Sequence, residues 1–143
     1  MFRFATLITL WFLCPVGILA EETQKRVYDI TLHSQDEIRS LLEKVEQVAG
    51  KPRAGKDRPL IALVLHGPEV EMFAIKNYDR YMDIVDRAAK LDALGNVEVK
   101  MCRQAMGEHH IKEDDIPGFI ETVPYGPDEI RRLQEMGYSS YQF

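Results

Sequence analysis

Hydrophobic and polar positions repeat with two different periods along this chain. Val27–Leu32 sets Val27, Asp29 and Thr31 against Tyr28, Ile30 and Leu32, which is the period of a strand. After Ser34 the period lengthens. Ile38, Leu41, Leu42, Val45 and Val48 fall on one helical face, and Ser34 with Glu37 has capping-box spacing. Leu60–Leu65 is a continuous apolar run between Pro59 and Gly67, as in a parallel strand buried on both faces. Tyr78–Leu94 reads as a second helix, with Tyr78, Tyr81, Met82, Val85, Ala88 and Ala89 as its apolar face and Gly95 as its stop. Val97–Met101 alternates again and Cys102 follows it directly. Phe119–Val123 is the next strand, Pro127–Glu135 a helix with proline near its start, and Tyr138–Phe143 a short final strand. Strands alternating with helices predict an α/β fold, a three-layer sandwich around a mostly parallel sheet. No repeat or second domain is visible, so residues 21–143 form one domain.

The first twenty residues stand outside this pattern. Arg3 gives a positive start, Phe4 to Leu13 is apolar apart from Thr6 and Thr9, Pro15 and Gly17 bend the chain, and Ala20 precedes Glu21. That order predicts a signal peptide over residues 1–20, cleaved near Ala20, and an exported or periplasmic protein without stable membrane insertion. An uncleaved membrane anchor is the alternative, disfavoured by the bend at Pro15 and Gly17. Cys14, between Leu13 and Pro15, does not suit a lipoprotein signal. Cleavage removes Trp11 and Cys14, leaving Cys102 as the sole cysteine of the mature chain. An unpaired cysteine in an oxidising compartment points to intermolecular pairing or a reactive thiol.

The net charge is −5, and loss of Arg3 with the leader makes it −6, which argues against nucleic acid as a partner. Lys51, Arg53, Lys56 and Arg58 crowd the Gly50–Pro59 loop and read as a solvated connection.

Candidate chemistry collects at strand ends, where open α/β sheets bind ligands. His66 and Gly67 end the second strand and Cys102 ends the third. If those strands are neighbours, His66 and Cys102 face one pocket. A helical turn over roughly Arg103–Met106 would expose Cys102 to backbone dipoles and to the Arg103 charge, and both favour the thiolate. The bland alternative is an inert buried thiol. His109 and His110 follow in a polar loop, where an imidazole could stabilise the thiolate or carry its proton. A metal site built from these groups has no recognisable spacing, so no metal and no other cofactor is assigned. The chain lacks a phosphate-binding glycine loop, a serine elbow and a Cys-x-x-Cys pair.

Three stretches together resemble the DsrE/DsrF-like (YchN-like) family. They are Leu63-Val64-Leu65-His66-Gly67, then Val97-Glu98-Val99-Lys100-Met101-Cys102 with Met106, and Val123-Pro124-Tyr125-Gly126 followed by Glu129-Ile130, Leu133-Gln134 and Gly137-Tyr138. The resemblance spans nearly all of the mature chain. It implies a compact α/β fold in a homo-oligomer, often a trimer or hexamer. It also implies a cysteine that carries sulfur as a persulfide at the Cys102 position, with thiol-containing donor or acceptor proteins as partners. The leader departs from the sulfur-relay members, which act in the cytoplasm. The resulting expectation is an exported sulfur carrier or sulfurtransferase-like protein. Cys102 and His66 would carry the chemistry, and Gly67, Arg103, His109 and His110 would shape the substrate pocket. The competing readings are a non-catalytic module holding a small ligand or metal at the same pocket, and a structural oligomer in which Cys102 only packs.

Overall fold

The computed structural model describes residues 24–31, 34–50 and 59–143. The leader at residues 1–20, Leu32 and the basic loop residues Lys51, Arg53, Lys56 and Arg58 lie outside the described residues.

Five strands are described: β1 (Arg26–Ile30), β2 (Ile61–Leu65), β3 (Val97–Cys102), β4 (Glu121–Val123) and β5 (Ser139–Gln142). The helices are α1 (Gln35–Ala49), α2 (Tyr78–Ala93), α3 (Arg103–Glu108) and α4 (Gly126–Glu135). The strands form one sheet in the order β4-β3-β2-β1-β5, and every neighbouring pair is parallel. Helices on both faces complete the expected α/β sandwich. Tyr28, Ile30, Leu63, Leu65, Val99 and Met101 pack on one face with Ile38, Leu41 and Leu42 of α1 and Ile84, Ala88 and Leu91 of α2. Val27, Ala62 and Val64 pack on the other with Ile130 and Leu133 of α4 and with Tyr138. β2 is buried along its whole length, which is why its sequence is uninterrupted hydrocarbon.

The capping box at α1 is formed: the Ser34 hydroxyl accepts from Glu37 N–H at 3.2 Å, and Glu37 Oε2 accepts from Ser34 N–H at 3.1 Å. Val48 departs from expectation, being 42% exposed while Ala49 is buried. Ten residues past Ile38 a helix has turned to about 280°, just outside the edge that Leu41 marks at about 300°, whereas eleven residues return it to about 20°, inside the stripe. Tyr78 and Met82 of α2 are also exposed. The backbone at Tyr81 leaves helical geometry at φ −121° and ψ 22°, so the first turn is out of phase with the rest. Two 3-10 turns, Pro68–Phe73 and Ile75–Asn77, join β2 to α2. They bury Val70, Met72 and Phe73 without any 3.6-residue period. No helix among the described residues is long and apolar enough to cross a membrane.

Candidate functional site at the carboxyl ends of the strands

β2 and β3 are neighbours, with Leu65 opposite Met101. One further step in that register makes His66 and Cys102 lateral neighbours, on strands that run about 4.8 Å apart. Both line a pocket of about 140 Å³ together with Gln104, Ala105, Glu108, Tyr125 and Pro127. The sequence condition for a shared pocket is therefore met. Cys102 is 1% exposed and sits at the N-cap of the six-residue helix α3.

On its other side His66 meets β1. Its Nε2 lies 2.5 Å from Asp29 Oδ1, with the two side chains 16% and 19% exposed. A carboxylate can only accept, so this contact places a proton on Nε2. Nδ1 has no hydrogen-bond partner among the described residues. The first residue of α4 packs directly on this histidine. A Cβ added at Gly126 would lie 2.6 Å from His66 Cβ and 2.9 Å from Cγ, so only glycine fits there without displacement. His66 also borders a second opening of about 370 Å³ lined by Asp29, Thr31, Gln142 and Phe143.

Behind this pair lies a buried carboxyl. Glu69 has no exposed surface; its Oε1 accepts the Gly67 N–H at 2.9 Å, and Oε2 has no hydrogen-bond partner among the described residues. Burial pushes this carboxyl above the usual range, against the pull of the Gly67 and Glu69 amides and the His66 charge. Gly67 is tightly enclosed: a Cβ there would come 2.7 Å from Glu69 Oε2 and 2.9 Å from Thr31 Cα.

A second polar cluster lies under α4, on the same face of the sheet. Lys100 is 3% exposed, and its Nζ lies 2.6 Å from Glu121, 3.4 Å from Glu129 and 3.7 Å from Glu98. Burial acts to lower the Lys100 pKa, but the hydrogen bond to Glu121 and the three carboxylate charges outweigh it and hold it above the ordinary value. Glu129 is held below its ordinary value, mainly by its hydrogen bonds from Arg132.

The remaining expected site residues engage other groups. Arg103 Nε lies 2.6 Å from Glu113 and 3.1 Å from Thr122 Oγ1. His109 Nδ1 lies 2.9 Å from Glu71, and His110 is exposed with φ 55°. Arg103, His109 and His110 are not among the described residues lining the Cys102 pocket. The Gly67 N–H is already committed to Glu69. Sequence reasoning gave no site role to Asp29, Glu69, Glu108, Tyr125 and Gly126. Asp29 did carry a signal: a charged residue alternating with apolar ones in a strand whose two faces are both covered must be partnered.

No curated protein matches the chain. The solved structure of a protein of unknown function from Methanobacterium thermoautotrophicum shares the fold, with a TM-score of 0.67 at 16% identity. That likeness covers 84% of this chain and 99% of the other. The family model described as DsrE/DsrF-like family matches residues 31–143, and the chain belongs to that family.

Proposed function

We propose that this protein is a sulfur carrier or sulfurtransferase-like protein that holds sulfane sulfur as a persulfide on Cys102. Family membership suggests a sulfur-relay-related role. The observation that carries the finer reading is the pocket shared by Cys102 and His66 at the ends of β2 and β3. In the loading step the Cys102 thiol gives its proton to the imidazole as sulfur attacks the outer sulfur of a persulfide or polysulfide, R–S–SH. A new S–S bond forms on Cys102 as the donor's S–S bond breaks. The leaving RS⁻ takes the proton back, and the products are Cys102–S–SH and RSH. A second thiol can later accept the outer sulfur by the same exchange. Gly67 shapes the turn beside His66, while Arg103, His109 and His110 form the outer approach to the site. We propose further that the mature chain is exported after cleavage near Ala20 and assembles as a homo-oligomer, a trimer or hexamer.

The test is the intact mass of protein isolated without reductant, repeated after reduction. Addition of one sulfur atom that reductant removes, absent in Cys102→Ser, is the expected result; irreversible oxidation is excluded by the reduction step. A bare thiol after incubation with polysulfide overturns the reading. The burial of Cys102 favours a second reading, in which the pocket holds a small ligand without turnover. Stoichiometric ligand with an unchanged Cys102 mass would select it.

A further inference from the structure

We infer that Asp29 is a positioning residue for the chemistry of Cys102 and acts through His66, an inference that rests on the persulfide reading. Three adjacent parallel strands each bring one polar group to the carboxyl end of the sheet. Asp29 comes from β1, His66 follows β2, and Cys102 ends β3. The middle group touches the first and shares a pocket with the third. In the neutral form of the ring, Asp29 Oδ1 at 2.5 Å from Nε2 holds the proton there and leaves the lone pair on Nδ1. Nδ1 is then the nitrogen that can take the Sγ proton and return it to the leaving thiolate. The order carboxylate, imidazole, nucleophile is the general arrangement by which an oriented base activates a weak nucleophile. Gly126 packs against the root of this side chain, where an added Cβ would stand 2.6 Å from His66 Cβ. The other ionisable groups facing this assembly are Glu69 after β2, Glu108 of α3 and Tyr125 before α4. None of these three is in hydrogen-bond contact with the ring among the described residues.

The experiment compares wild type, Asp29→Asn, His66→Gln and the double variant, each shown folded by near-UV circular dichroism. Nitrogen-15 NMR of the imidazole, at a pH where it is neutral, reads the tautomer directly. Alkylation of Cys102 by iodoacetamide at one fixed pH, followed by intact mass, reads the thiol. The wild-type ring is expected with its proton on Nε2, and Asp29→Asn is expected to shift it to Nδ1, since an amide can donate to Nε2. Alkylation should fall at least tenfold in each single variant, and the double variant should be no slower than the slower single. A purely structural Asp29 would leave the tautomer unchanged or give losses that multiply in the double variant, and either result overturns the inference. Alkylation of Asp29→Asn at the wild-type rate overturns it as well. Neither readout needs sulfane sulfur. Absence of persulfide with the expected tautomer and coupling therefore removes the persulfide reading alone, while equal persulfide loading in Asp29→Asn removes the positioning role alone.

Discussion

Adding one methyl group at Gly126 should destabilise the fold and disturb the site at the same time. Its Cβ would stand 2.6 Å from His66 Cβ and 2.9 Å from Cγ. Carbon atoms prefer about 3.5–4.0 Å, so roughly 1 Å must be found. The obstructing atoms are the root of the histidine rather than its tip, and rotating the ring does not clear them. The backbone of β2 or α4 has to move. Overpacking of this kind costs about 1–3 kcal/mol. The reduced freedom of the unfolded chain returns about 0.4–1 kcal/mol. The net loss is about 1–2 kcal/mol, or a fall in Tm of about 4–8 °C for a domain of this size. Gly107→Ala is the matched control, because a Cβ there meets nothing within 4 Å and the residue lies within α3. It should be neutral or gain up to about 1 kcal/mol. Urea unfolding of both variants gives the two values, and iodoacetamide alkylation of Cys102 gives the effect on the site. Gly126→Ala as stable as wild type, or losing no more than Gly107→Ala, would refute the argument.

Other substitutions test the remaining framework. Lys100→Met leaves Glu98, Glu121 and Glu129 facing one another without their shared cation. It should cost about 3 kcal/mol, at the low end for a broken buried pair because Glu121 reaches solvent, as measured by chemical denaturation. Val45→Ala should cost about 1–2.5 kcal/mol and Val48→Ala less than about 0.5 kcal/mol, which checks the phase of α1 by two unfolding midpoints. Two carboxyls give stability slopes of opposite sign with pH. Glu129 is lowered when folded, so its contribution is present above its unfolded value of 4.5 and is lost as pH falls through the folded value. Glu69 is raised when folded, so its contribution is full below 4.5 and declines as pH rises towards the folded value. Unfolding curves across acid pH should therefore decline less above 4.5 in Glu69→Gln, and lose less stability at acid pH in Glu129→Gln.

Much of the architecture was legible because parallel strands and amphipathic helices leave different periods. β2 announced itself as an unbroken apolar run, and Ser34 with Glu37 marked the start of α1 to the residue. Val48 was misplaced because an i+10 position falls about 20° beyond i+3, just outside the edge of the stripe that i+3, i+4 and i+7 define. The turns over Pro68–Asn77 were invisible because their burial follows the surface of α2 and the sheet rather than any local repeat. His66 and Cys102 could be picked out because strand ends are where such sheets place chemistry. Their partners could not: Asp29 reaches His66 from 37 positions earlier in the chain, and Glu69 acquires its setting from a turn with no periodic signature. Arg103 looked like a free charge beside the thiol until Glu113 and Thr122 were seen to hold it.

The strand order also sets a timetable. β1 leads the described strands along the chain, yet it lies between β2 and β5, with Arg26 opposite both Ile61 and Ser139. Its outer hydrogen-bond partner is therefore the last of the described strands to be synthesised. Joining ends so far apart carries a loop-closure cost that local helices do not have, and parallel sheets of this kind form late. Asp29 lies opposite Gln142 as well as beside His66. β1, which carries the carboxylate against His66, is thus paired on both edges only once β5 has emerged. A chain that has not yet emerged as far as Gln142 leaves β1 paired along one edge only, so Asp29 and its contact to His66 lack the β5 side of their support.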